Sequence, residues 1–199
     1  MQARVIVVAG PSGSGKSRLC SRLGLPFVNL DDFYKNGSDP TLPYLDMGVA
    51  DWDDPASWLH DEAVDALETL CRHGAADIPV YDIARDGRVG HRVLDLDGSP
   101  YVVAEGIFAQ ELVAECRARG LVADAICVRH HPALTFWRRF SRDLRERRKP
   151  PLVLLRRGLM LMRQEPQIVG HAVALGCTPM TSDVAYHHVS SMVAGDLLP

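Results

Sequence analysis

No stretch of the chain is apolar for long enough to cross a bilayer as a helix, so no membrane role is expected. The first residues run straight into an apolar, β-branched segment, so no secretory leader is expected either. There is no excess of positive charge. The net charge is −3, which disfavours broad, non-specific binding to nucleic acid. Cysteine is scarce and irregularly placed: Cys20, Cys71, Cys116, Cys127 and Cys177 form an odd set without a C-x-x-C pair. That excludes a disulfide framework and leaves no Cys/His spacing suited to zinc. Reduced, structural thiols in a cytoplasmic protein are the expectation. Internal repeats and low-complexity tracts are missing too. What remains is a chain of 199 residues, 47% hydrophobic and 24% charged, which suits one soluble domain over 1–199 with a sizeable core.

Against this ordinary background one octapeptide stands out, Gly10-Pro11-Ser12-Gly13-Ser14-Gly15-Lys16-Ser17. It satisfies the phosphate-binding pattern G-x-x-x-x-G-K-[ST] at every fixed position. The preceding run Val5-Ile6-Val7-Val8-Ala9 reads as a buried parallel strand, and Lys16 to Leu23 reads as a helix. Three glycines allow a tight turn whose N–H groups point into one nest, and the helix N-terminus behind it adds positive partial charge. Gly10, Ser12, Gly13, Ser14, Gly15, Lys16 and Ser17 are therefore the candidate nucleotide-binding residues. Lys16 would reach the β- and γ-phosphates of ATP, and the Ser17 hydroxyl would take a place on Mg²⁺.

Strand and helix patterns alternate, which predicts an α/β fold with a mostly parallel sheet. Phe27-Val28-Asn29-Leu30 reads as a short strand with Asp31 at its end. Lys35 to Asp54 reads as a long loop holding Gly37, Pro40, Pro43 and Gly48. Asp54-Pro55 predicts a helix start with Asp54 as N-cap, an apolar stripe of Leu59, Ala63, Ala66, Leu67, Leu70 and Cys71, and a stop at Gly74. Ile78–Tyr81 reads as a short extended piece, and Arg92–Leu96 as a partly exposed strand before an Asp97-Gly98 turn. Tyr101–Ala104 and Ala125–Val128 read as core strands, with a helix from about Phe108 to Arg117 between them. A helix is expected over about 132–149, more helix to about Leu175, and a last strand at Val184–Tyr186.

Transfer of a phosphoryl group needs more than a nest. It needs a base or orienting group, a second hold on the metal, and cations over the moving phosphoryl. Asp31, at the carboxyl end of a strand, is the candidate base; adjacent Asp32 should point elsewhere. For either acid the alternative is capping of the following turn. Glu105 ends a core strand, where a carboxylate can support a metal, usually through water, or can bond local backbone. In the 132–149 helix, Arg138, Arg142, Arg145 and Lys149 fall close to one line with Phe136, Phe140 and Leu144 opposite. Those guanidinium groups suit phosphate oxygens; the alternative is a basic face paired with Asp143 and Glu146. Acids are dense between Asn29 and Asp54, bases between Arg138 and Lys149, so the two segments read either as opposite poles of one site or as two solvated surfaces. Trp52, Asp53 and Tyr81 could shape an acceptor pocket or anchor loops.

With these residues in view, the chain from about Val5 to Lys149 resembles the uridine kinase family of P-loop nucleoside kinases. Beyond the octapeptide, Asp31-Asp32-Phe33-Tyr34 resembles that family's D-S-F-Y, and Trp52-Asp53-Asp54-Pro55 its F-D-H-P. Pro79-Val80-Tyr81-Asp82 resembles P-x-Y-D, and Ala104-Glu105-Gly106-Ile107 resembles E-G-I. Arg138-Arg139 through Arg142-Asp143 to Glu146-Arg147 resembles the family's lid helix. The resemblance implies a three-layer P-loop fold with a helical lid, ATP and Mg²⁺ as cofactors, and a small-molecule acceptor. It implies Asp31 as catalytic aspartate, Asp53 on ribose hydroxyls, and Tyr34 and Tyr81 in the acceptor site. The match then breaks. Ile83 stands where the family has an aromatic residue, and Asp86, a candidate acceptor-binding residue with Asp53, Tyr34 and Tyr81, where it has a base-reading His.

The expected activity is thus ATP-dependent phosphorylation of a small molecule's hydroxyl, a nucleoside such as uridine or cytidine first. Alternatives are another alcohol of pantothenate or sugar-phosphate type, a non-catalytic nucleotide-binding protein, or a nucleic-acid partner using the arginine helix. Nucleic acid and membrane are not expected partners. The Leu-, Met- and Arg-rich stretch after Pro150 is where an altered pocket or a contact between copies is expected.

Overall fold

The computed structural model of the chain describes residues 2–46, 48–130, 136 and 165–196. Strand β1 (Arg4–Ala9) is buried over all but its first residue, as its β-branched run requires. It lies at the centre of a five-stranded sheet ordered β2-β5-β1-β6-β7, in which every pairing is parallel. The other strands are β2 (Phe27–Asn29), β5 (Tyr101–Glu105), β6 (Val122–Val128) and β7 (Thr178–Met180). Helices α1 (Lys16–Leu23), α2 (His60–His73), α3 (Val113–Ala118) and α4 (Ser182–Asp196) cover the sheet.

Strand alternation divides the core between two faces. Val5, Val7 and Ala9 pack with Ala63, Val64, Leu67 and Leu70 of α2 and with Val113 and Cys116 of α3. Ile6 and Val8 pack with Leu19 and Cys20 of α1 and with Ala185 and Val189 of α4. Helix, sheet and helix layers follow, the three-layer architecture expected. The region of the expected lid helix, with Arg138, Arg142 and Arg145, lies outside the described residues.

Three local expectations are corrected, and two strand expectations are lengthened and joined. Pro55–Ser57 makes only a 3₁₀ turn, capped by Asp54 Oδ1 accepting from Ala56 N at 2.8 Å, and α2 starts at His60. Between them Trp58 is extended and buried, its Nε1 donating to Leu30 O at 2.7 Å, a placement a continuous helix would prevent. The region after Phe108 divides into a 3₁₀ turn (Ala109–Leu112) and the short α3. The two extended pieces around residue 80 are halves of one antiparallel hairpin, β3 (Ala75–Asp82) with β4 (Gly87–Asp95), separate from the main sheet. Val184–Tyr186 is helical, because Ala185 and Val189 lie one turn apart and both bury against the α1 side; a three-residue apolar window cannot distinguish the two periods.

Candidate functional site

The octapeptide connects β1 to α1 as its pattern requires. Gly10, Gly13 and Gly15 have φ of 135°, 80° and 94°, all in the left-handed half of conformational space. Gly10 is needed twice over, since a Cβ there would also stand 2.3 Å from the carbonyl oxygen of Val128. Ser12 is half-buried in the loop. Ser14 is fully buried, and its hydroxyl oxygen has no hydrogen-bond partner among the described residues. Lys16 opens α1 and is itself buried. Its ammonium donates to Gly10 O at 2.8 Å and Pro11 O at 3.3 Å, so it lies folded over the loop. Burial lowers its pKa, while Glu105 and then Asp31 pull it back up.

These three charges meet because the sheet order makes them neighbours. In the register, Glu105 stands opposite Val8 of β1 on one side and Asn29 of β2 on the other. Glu105 Oε1 accepts from the Ser17 hydroxyl at 2.9 Å. Asp31 sits on the 3₁₀ turn Leu30–Phe33 that follows β2, its own N–H donating to Asn29 Oδ1 at 3.2 Å. Its carboxylate accepts from the Ile107 backbone N–H. That approach is possible only over a glycine: a Cβ on Gly106 would lie 2.8 Å from Leu30 Cβ and 3.4 Å from Asp31 Oδ1. Burial raises the Asp31 pKa, Lys16 opposes the rise, and Glu105 adds to it. Asp32 turns away, its Oδ1 accepting from Tyr81 N at 3.2 Å, and serves to tie the turn to β3.

Beside this charged centre is an aromatic group. The Tyr34 ring stands 5.6 Å from Trp52, 5.9 Å from Tyr81 and 6.0 Å from Phe108, centroid to centroid. The Tyr34 hydroxyl donates to Trp52 O at 3.1 Å, fixing the long loop against the site. Its pKa is raised by burial and then by the nearby charges of Asp31 and Asp53, which places both acids within electrostatic reach of one ring. Asp53 is exposed, held by its N–H donating to Asp51 Oδ1 at 3.1 Å. Tyr81 joins the group where the β3–β4 register shifts, an irregularity of the kind that re-aims a side chain. Asp86 lies at the hairpin tip; burial raises the Tyr81 pKa, and the Asp86 charge adds to the rise.

The structure therefore brings Lys16, Ser17, Asp31 and Glu105 together at the carboxyl ends of β1, β2 and β5, with Tyr34, Asp53, Tyr81 and Asp86 alongside. Sequence reasoning missed Phe108, whose only signal is its place just after Glu105-Gly106-Ile107. It also missed the pairing of Arg88 with Glu62, at 2.7 and 2.9 Å, because the hairpin itself was not foreseen. Among the described residues no cluster of three His, Cys, Asp or Glu could hold a metal alone, and no helix is long and apolar enough to cross a membrane.

No family model matches the chain. It is 29% identical over 150 residues to a uridine kinase of Bacillus pumilus, covering 72% of this chain and 69% of that one. It is 27% identical over 157 residues to a uridine kinase of Escherichia coli K12, covering 73% and 71%. A candidate fructose transport system kinase from Silicibacter sp. TM1040 superposes with a TM-score of 0.62 over 85% of both chains at 17% identity, a likeness of fold alone. Sequence relatedness over most of the chain and the parallel sheet agree: the chain is a small-molecule kinase with a P-loop fold, homologous to the uridine kinases.

Proposed function

We propose that the protein transfers the γ-phosphoryl group of ATP to a hydroxyl of a nucleoside-like small molecule. The observation that carries this reading is the convergence of Asp31, Lys16 and the Ser17–Glu105 pair at one edge of three adjacent parallel strands. The loop amides and Lys16 hold the β- and γ-phosphates; for that, the ammonium leaves its carbonyl partners in the loop. Asp31 accepts or orients the proton of the acceptor hydroxyl, and burial, which raises its pKa, strengthens its hold on a proton. The aromatic rings with Asp53 receive the acceptor.

A hydroxyl beside a carboxylate is an all-oxygen donor pair, which suits Mg²⁺. Mg²⁺ takes few protein ligands and completes its shell with water and substrate phosphates, so a two-residue site fits it. Ser17 and Glu105 would hold it, and bound there it would neutralise charge on the phosphates. Arg138, Arg142 and Arg145 are assigned the remaining cationic role over the phosphates from the sequence. The buried, unpaired cysteines support a cytoplasmic setting.

The test is ADP release with a panel of acceptors: nucleosides, pantothenate and sugar phosphates. Release that requires ATP, Mg²⁺ and a nucleoside supports the reading. ATP binding without acceptor-dependent ADP release would replace it with a non-catalytic nucleotide-binding role.

A further inference from the structure

The peptide unit that leads into Asp31 is held at both ends by side chains that the phosphoryl chemistry does not use. At one end, Leu30 O accepts from Trp58 Nε1 at 2.7 Å. At the other, Asp31 N donates to Asn29 Oδ1 at 3.2 Å. Asp31 N is among the first N–H groups of the 3₁₀ turn, which the turn cannot satisfy from within, and Asn29 is the N-cap. Leu30 and Trp58 are both buried, so the bond between them is made away from solvent.

Both partners are themselves fixed. Asn29 ends β2, in register with Glu105. Trp58 is set over the turn by a short antiparallel ladder: Lys35 N donates to Ser57 O at 3.0 Å and Leu59 N to Phe33 O at 3.0 Å, with Tyr34 bridged to Trp58 between them. Its ring is backed by Phe108 at 5.9 Å and His60 at 6.0 Å, centroid to centroid. Leu30 also meets Gly106, where a Cβ would come within 2.8 Å of Leu30 Cβ. Other ties of this segment reach the β3–β4 hairpin instead. Asp32 Oδ1 accepts from Tyr81 N at 3.2 Å, and Gly37 N donates to Asp86 O at 2.6 Å, a clamp on the hairpin tip. The Trp58 and Asn29 bonds act on the planar unit whose tilt sets φ at Asp31, and φ sets where its Cβ points.

We propose that Trp58 and Asn29 are positioning residues for the reaction: by gripping the Leu30–Asp31 peptide unit from its two ends, they keep the Asp31 carboxylate where Lys16 and Glu105 converge. This deepens the kinase reading and rests on it, because Asp31 has chemistry to do only there. A small misplacement of a catalytic group lowers turnover strongly, so loss of one grip is read in kcat. The proposed ATP site is the loop and Lys16, which the grip does not touch, so the KM for ATP stays where it is.

The experiment measures kcat and KM in Trp58→Phe, Asn29→Ala and Asn29→Ser, well below their melting temperatures, together with residue-resolved amide hydrogen exchange. Trp58→Phe keeps an aromatic ring against Phe108 and removes the indole donor; Asn29→Ala removes the cap; Asn29→Ser restores a capping oxygen. Trp58→Phe and Asn29→Ala should each lower kcat on the order of tenfold with the KM for ATP unchanged, and Asn29→Ser should recover most of the loss. The Ile107 N–H, which the Asp31 carboxylate accepts, should exchange on the order of tenfold faster in Trp58→Phe and Asn29→Ala, while the amides of β5 keep wild-type protection. An unchanged kcat in either variant overturns the assignment, as does Asn29→Ser no faster than Asn29→Ala. Faster exchange spread evenly over β5 overturns it too, being the signature of a structural role alone. Should one variant not fold, the other decides by the same readings. Should no acceptor be phosphorylated, the kinase reading fails by itself, and exchange then decides the grip: a change confined to Ile107 supports it, and an unmoved Ile107 overturns it.

Discussion

Replacing Asp31 with Asn separates what the carboxylate does for chemistry from what it costs the fold. The substitution is nearly isosteric, and the amide oxygen can still accept the Ile107 N–H that the carboxylate accepts. The turn should therefore survive. Removing a positioned general base lowers turnover by about 10²–10⁴-fold, or roughly 3–5 kcal/mol of barrier at 1.36 kcal/mol per decade. Stability moves the other way. Burial raises the folded-state pKa of Asp31 above its unfolded value, so the folded protein holds that proton more tightly. The associated stability is present at low pH and is lost as pH rises through the folded pKa. Asn carries no such penalty. Asp31→Asn should melt with the wild type below the ordinary carboxylate range, about pH 3.9, and above it in temperature at pH 8. The assay pairs acceptor-dependent ADP release with thermal unfolding across pH. A variant that turns over normally, or melts below the wild type at pH 8, would refute the argument, because a mere turn-capping acid loses stability when amidated.

Other outcomes follow from the same geometry. Gly10→Ala combines a forbidden φ with a Cβ 2.3 Å from Val128 O; it should cost ~2–4 kcal/mol and lower Tm by on the order of 10 °C, and an unchanged melting curve would show that the loop is not held against β6. Lys16→Ala should cut turnover by about 10²-fold and weaken ATP binding in a titration; unchanged affinity and rate would count against the whole site. Burial pushes Cys20, Cys71 and Cys177 up to about 12 and Cys116 up to about 11, with Cys127 also raised. A colorimetric thiol reagent should therefore label the protein only as it unfolds, and rapid labelling of the native state would mean that the core is open.

What the sequence revealed was whatever is decided locally. The octapeptide, Asp31 and Glu105 each stand at the end of a short apolar run, and the run announces the strand end without knowledge of its partners. Trp58 and the hairpin were hidden because their conformations are set at long range. Trp58 leaves the helical pattern to reach Leu30 O, a residue on another element. Strand β4 mixes Arg, His and Gly and leaves Val89 and Val93 exposed, so its period is blurred, and only its pairing with β3 makes it a strand. Val184–Tyr186 shows the converse, where β-favouring side chains were overruled by a helix packing against α1.

The hairpin also accounts for why the residues proposed to receive the acceptor depart from the pattern of the resembling family while those proposed to hold the phosphates do not. Lys16, Ser17, Asp31 and Glu105 are fixed by the order β2-β5-β1, whose register sets Glu105 opposite both Val8 and Asn29. Moving any of those residues means moving a strand end of the main sheet or the loop between β1 and α1. Tyr81 and Asp86 ride on two strands outside that sheet, joined to the centre by the Asp32–Tyr81 bond and the Gly37–Asp86 clamp. Side chains at the hairpin tip can be exchanged without moving a strand of the main sheet, as exposed Ile83 and Asp86 illustrate. On the proposed reading, acceptor selectivity is free to change on a fixed phosphoryl-transfer base, and a nucleoside panel run on hairpin-tip variants should move KM values while leaving the ATP dependence where it was.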